Sequence, residues 1–163
     1  MVIAGLVLYL LFFSGFLDIK EVSISGLEKI SKNEFIKKLE ERLNSRKLGY
    51  IEDQKNIIFF DSDNFKADIT AAYPEIKNIS ISKKPLHALD INVTERKIAG
   101  IWCFADSSAE FTTSCRYFDE EGSMWGQAAK SSGFLILNVE DLLPDSQSID
   151  AVLFNSIMVV SKQ

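Results

Sequence analysis

The chain has 163 residues, 47% of them apolar and 25% charged, with a net charge of −5. That apolar content excludes a disordered polymer, and the acidic balance excludes a nucleic-acid binder built on a general excess of Lys and Arg. The same balance keeps a domain soluble and says little about what it binds.

From Val2 to Leu17 no residue is charged. Such a run reads first as a lipid-embedded helix, at the short end of the ~20 apolar residues of a full span and close to the lower limit of roughly 17. A signal-peptide core and a buried helix are the alternatives. A signal peptide carries basic residues before the run and a small-residue cleavage site after it; here no Lys or Arg precedes, and Phe16-Leu17-Asp18 follows. Residues 1–18 are therefore expected to be a transmembrane anchor. The usual orientation signal is missing with the basic residues, which a Met1 that is not the true start, with a basic cytoplasmic tail lost before it, would explain.

Beyond the anchor, Ile19, Val22 and Ile24 interleave with Lys20, Ser23 and Ser25, which predicts a short strand ending at Gly26. Ser31-Lys32-Asn33-Glu34 has the form of a capping box and predicts a helix start. Phe35, Ile36, Leu39 and Leu43 fall on one face of that helix, with Glu34–Lys38 and Lys37–Glu41 as i,i+4 pairs on the wet side. Residues 44–50 end it, with Gly49 as the flexible position. Ile57-Ile58-Phe59-Phe60 suits either a short strand or the buried lead-in to a second helix. Asp61 or Ser62 caps that helix, and Phe65, Ile69, Ala72 and Tyr73 keep its period up to Pro74. Two alternating segments follow: Ile79 and Ile81 oppose Asn78, Ser80 and Ser82, and Leu89, Ile91 and Val93 oppose Asp90, Asn92 and Thr94. They predict a hairpin with one wet face.

The order strand, helix, helix, strand, strand makes a complete two-layer α+β core over residues 19–96. From 97 to 163 the texture changes. Ile98–Phe104 is apolar, Arg116-Tyr117-Phe118 leads into the turn Asp119-Glu120-Glu121-Gly122, and Ser123-Met124-Trp125 and Phe134-Leu135-Ile136-Leu137 suit further strands before a helix from Ile149 to Val160. Sheet edges without a partner in this second, partial β-rich domain imply a further stretch of chain or another protein beside it.

Cys103 and Cys115 are close enough to close a small loop. A disulfide suits a domain outside the membrane; zinc lacks ligands, since His87 is the only histidine, and two free thiols suit a reducing compartment. No catalytic constellation is present: His87 falls in the predicted turn between two strands, a place for an exposed residue rather than a general base. The acidic turn lacks the alternating oxygens of a calcium loop. No cofactor and no metal are expected. Asn78-Ile79-Ser80 and Asn92-Val93-Thr94 match glycosylation sequons by a pattern too short to carry weight. Trp102 and Trp125 are expected in a core, and Lys77, Lys83 and Lys84 at a solvated strand end. The remaining candidate is strand pairing at the edge of the second strand, with Lys83, Lys84 and Pro85 also of the kind that blocks such pairing.

Ile19 to Gly26, the Ser31 helix start, Ala67-Asp68-Ile69 ahead of Tyr73-Pro74-Glu75-Ile76-Lys77, and Val93-Thr94-Glu95-Arg96-Lys97-Ile98-Ala99 together resemble the polypeptide-transport-associated (POTRA) domain of the FtsQ/DivIB cell-division family. Phe118-Asp119-Glu120-Glu121-Gly122 is similar to the turn that opens that family's second domain. The resemblance implies a non-catalytic, single-pass membrane scaffold with its domains extracytoplasmic, at the division septum, recruiting other divisome membrane proteins, with no nucleic acid and no small-molecule substrate. It puts septal recruitment on the second strand, at Asn78, Ile81 and Lys83. The family's binding of small coiled-coil division proteins uses late strands of the second domain, which have no clear counterpart before Gln163. A pilin-like subunit or another POTRA protein is the alternative of the same general kind, and a small secreted enzyme the alternative of another.

Overall fold

A computed structural model describes residues 3, 5–7, 9, 15–45, 53–85, 87–105, 113–129, 136–141 and 151–161. Contacts divide the chain into two units, Met1–Glu95 and Arg96–Gln163.

In the first unit Ile3, Gly5, Leu6, Val7 and Tyr9 are helical, and the other residues of the apolar run up to 14 lie outside the described residues. Among the described residues no helix is long and apolar enough to cross a membrane. Strand β1 (Glu21–Ser25) follows, then α1 (Lys32–Leu43), a 3-10 turn at Asp53–Lys55, α2 (Ser62–Ala72), β2 (Ile76–Lys84) and β3 (Ala88–Glu95). β3 is central: β1 pairs with it in parallel and β2 antiparallel. The period-2 pattern turns Leu89, Ile91 and Val93 to the helices, where they meet Phe35 and Leu39 of α1, Phe65 and Ile69 of α2, and Ile76 and Ile79 of β2. Gly26 ends β1 at φ +83°, and a Cβ there would collide with the Val93 carbonyl oxygen, so only glycine fits.

The helix starts behave differently. Asp61 caps α2, its carboxylate accepting from Asn64 N at 3.1 Å. Ser31 stands at the N-cap of α1, yet its hydroxyl makes no cap bond, so the predicted reciprocal box is not formed. On the wet face of α1 the ion pair is Lys38–Glu41 at 3.9 Å, one residue closer than the predicted i,i+4 pairs. Helix α1 ends at Asn44, and Gly49 lies outside the described residues. Ile57–Phe60 is a turn, the buried lead-in to α2: Ile57 and Phe60 point inward and Ile58 outward.

The second unit holds β4 (Gly100–Ala105), β5 (Thr113–Phe118), β6 (Met124–Trp125), β7 (Leu137–Asp141) and α3 (Ala151–Ser161). Its sheet runs β6-β5-β4-β7, with β4 and β7 parallel. β4 is covered on both faces. Trp102 and Phe104 join Phe118 and Phe154 of α3 in one cluster; Ile101 and Cys103 join Cys115 in another. Cys103 and Cys115 face each other across the β4–β5 pair and form a disulfide. The last strand lies further along than predicted, starting at Leu137; Phe134 and Leu135 are outside the described residues, as is Ile149.

Candidate functional site

β2 is an edge strand, paired on one side only within its sheet. Its inner face packs on the core through Ile76 and Ile79, with Ile81 half-buried against the same cluster. Its outer face is polar and exposed at Asn78, Ser80 and Ser82. The open side of an edge strand can accept an incoming strand, which gives a binding module main-chain affinity and side-chain selectivity.

The three predicted recruitment residues share this strand without sharing a face. Asn78 is on the wet side, in register with Thr94. Ile81 opposes Ile91 and packs inward. Lys83 reaches over the inner edge, where its Nζ donates to the carbonyls of Phe60 at 2.8 Å and Ile58 at 3.3 Å. Its ammonium therefore fastens β2 to the loop before α2. Lys84 is also engaged, 3.5 Å from Asp90.

The two sequon matches have a structural basis in this register. Asn78 lies opposite Thr94 and Ser80 opposite Asn92, so each asparagine faces the other segment's hydroxyl residue. Asn92 also donates to Ser25 Oγ at 3.1 Å, continuing the polar face onto β1. Such cross-strand amide and hydroxyl pairs suit a wet sheet face.

Sequence reasoning missed the group that closes the end of this sheet. Glu95, 9% exposed, accepts from the backbone N–H groups of Glu28 (2.8 Å), Lys29 (3.0 and 3.1 Å) and Ile30 (3.1 Å). Burial pushes its carboxyl up, but these N–H groups and the Lys29 charge outweigh that and hold it below its ordinary value. The available signal was a carboxylate in phase with Leu89, Ile91 and Val93 on the inward side of β3. Its neighbour Arg96 is the first residue of the second unit. It pairs with Asp119 at 2.6 Å and lies over Trp125 at 5.9 Å from the ring centroid. Asp119 Oδ1 accepts from Glu121 N and Ser123 N, making the acidic segment a tight turn.

Elsewhere, an open groove of about 580 Å³ runs between α1 and α2, where Arg42 and Asp68 lie 3.7 Å apart. Trp102 and Trp125 are both buried. Among the described residues no three His, Cys, Asp or Glu side chains are grouped to hold a metal ion.

A three-stranded sheet with two helices on one face and an open edge strand is the architecture of a POTRA-class interaction domain. Residues 17–96 match the family model described as the POTRA domain of the FtsQ type, so this stretch of the chain is similar to that domain. No curated protein matches the chain.

Proposed function

We propose that the chain is a non-catalytic, single-pass membrane scaffold of the bacterial division complex. Residues 1–18 serve as the anchor, 19–96 as the POTRA domain and 97–163 as part of a β-rich domain, with both domains extracytoplasmic at the septum. Its partners are other divisome membrane proteins, and the recruiting element is β2 through Asn78, Ile81 and Lys83. The observation that carries this reading is a strand, β2, that among the described residues is paired in its sheet on one side only, in a domain similar to the FtsQ type. A pilin-like subunit fits less well, because its N-terminal helix runs unbroken into the folded domain, whereas here a turn at Phe16-Leu17 leads into β1.

The test is the position in dividing cells of a fluorescent fusion at the N-terminus of the full-length protein. Ile81→Asp and Lys83→Glu are poor probes, since the first buries a charge against the core and the second breaks the bonds to Phe60 and Ile58. Asn78→Lys with Ser82→Lys charges the exposed face of the edge and leaves the core alone. A septal signal lost in this variant at unchanged protein level and melting temperature supports the scaffold. A uniform membrane signal in both removes the division role.

A further inference from the structure

The end of the apolar run is fastened to the first unit. Leu17 O accepts from Ile57 N at 2.9 Å, and Ile19 N donates to Lys55 O at 2.8 Å. Asp18 bridges to Asn56, and Lys20 N and Glu21 N both donate to His87 O. The exit of the run therefore lies against two segments, the turn over residues 53–60 and the β2–β3 connection.

Large apolar side chains stay exposed there. Phe16 is 56% exposed and Ile58 54%. Phe16 stands edge-on to His87, ring centroids 5.9 Å apart. Ile58 is held outward by a braced turn: Asn56 Oδ1 accepts from Ile58 N at 3.0 Å, and the fully buried Gln54 bonds to Phe59 O and Asp61 N. Lys83 clips the same turn from the side. Ile58 is thus held outward, next to the point where the run ends.

This inference rests on the anchor reading of the run. If that run is in lipid, connectivity fixes what lies near the interface, because Phe16 belongs to the run and three residues of chain reach at most roughly 11 Å. Ile58 follows through its neighbour's bond to Leu17. Aromatic and large aliphatic side chains at the headgroup level are stabilised by burying their apolar bodies there, while flanking lysines extend their ammonium groups to water or phosphate. Lys20 and Lys84 are exposed beside this end and Lys55 half-exposed.

We propose that Phe16 and Ile58 form a lipid-contacting foot: this end of the first unit rests on the phospholipid bilayer, with both side chains at the boundary between headgroups and acyl chains. The opposite end of β1, with the Glu28–Ile30 loop, then stands roughly 15–20 Å farther out, from the rise of a strand.

The experiment uses the full chain reconstituted into phosphatidylcholine–phosphatidylglycerol vesicles, with or without acyl-brominated lipid as quencher. Ile58→Trp probes the foot and Lys32→Trp the far end, and the unsubstituted chain supplies the background of Trp102 and Trp125. The expected result is that bromination removes most of the emission added by Ile58→Trp and none of that added by Lys32→Trp. The quenching at position 58 should weaken in a Phe16→Ser background. Phe16→Trp gives the same readout should Ile58→Trp fail to fold. Unquenched emission at both foot positions, in a chain that stays with the vesicles through alkaline extraction, overturns the foot and leaves the anchor standing. A chain that alkali extracts overturns both.

Discussion

Glu95 sits among residues that would be apolar in a simple sheet, and its environment explains how a carboxylate is kept there. Three backbone N–H groups at the end of the β1–α1 loop converge on it, so the charge is satisfied by main chain rather than by a counter-ion alone. Charge-assisted bonds of this kind contribute about 1.5–3 kcal/mol each against an unmade state. Glu95→Gln keeps the shape and an acceptor but loses the charge, and should cost about 2 kcal/mol at neutral pH. The folded carboxyl lies below its ordinary value of about 4.5. Its contribution is therefore complete above that value and drains away as pH falls through the depressed folded one. Urea unfolding of both proteins at pH 7 and in strong acid reads this: the gap between them should close on acidification. An equal gap at both pH values would mean that the amide's geometry, not the lost charge, is responsible.

At the scale of elements, β2 must do two jobs, and its two faces divide them. Ile79 is 1% exposed while Ile81 is half-buried in the same strand. Ile79→Ala should cost about 3–4 kcal/mol and Ile81→Ala about half of that, measured as separate shifts in chemical unfolding. Equal costs would show that the edge end of β2 is as tightly packed as its middle, leaving little freedom for a partner strand. The alternation that predicts this strand was legible because one face is wet; period 2 survives wherever a sheet is covered on one side. β4 was less legible for the opposite reason, since Ile101, Trp102, Cys103 and Phe104 are all buried and leave a plain apolar run. The capping box failed on chemistry that sequence does not hold: Ser31 has the backbone position of a cap but not the side-chain bond. Glu95 was missed because its partners are main-chain groups some 65 residues away, which no local pattern encodes. The edge position of β2 was foreseen as an option, whereas the engagement of Lys83 with the Phe60 carbonyl needed the structure.

The whole molecule comprises two units, each with its own buried aromatic core, so their stabilities should be separable. Among the described residues, the first unit has a sheet covered on one side by two helices, whereas the second has four strands, one of only two residues, and a single helix. The second unit relies correspondingly more on its covalent link between β4 and β5. Cys103 and Cys115 are 12 residues apart, and closing a loop of that size contributes about 3 kcal/mol in the chain-entropy model. For a unit of this size that corresponds to upward of roughly 10 °C in melting temperature. Both tryptophans, Trp102 and Trp125, belong to the second unit, so their emission follows its unfolding alone. Dithiothreitol, or Cys103→Ser with Cys115→Ser, should lower the tryptophan-detected transition by that amount. Amide-exchange protection of β2 and β3, in the first unit, should be unchanged at temperatures below it. A tryptophan transition indifferent to reduction would show that the sheet and α3 hold the second unit without the link. Loss of protection in β3 at the same time would show that the two units unfold as one.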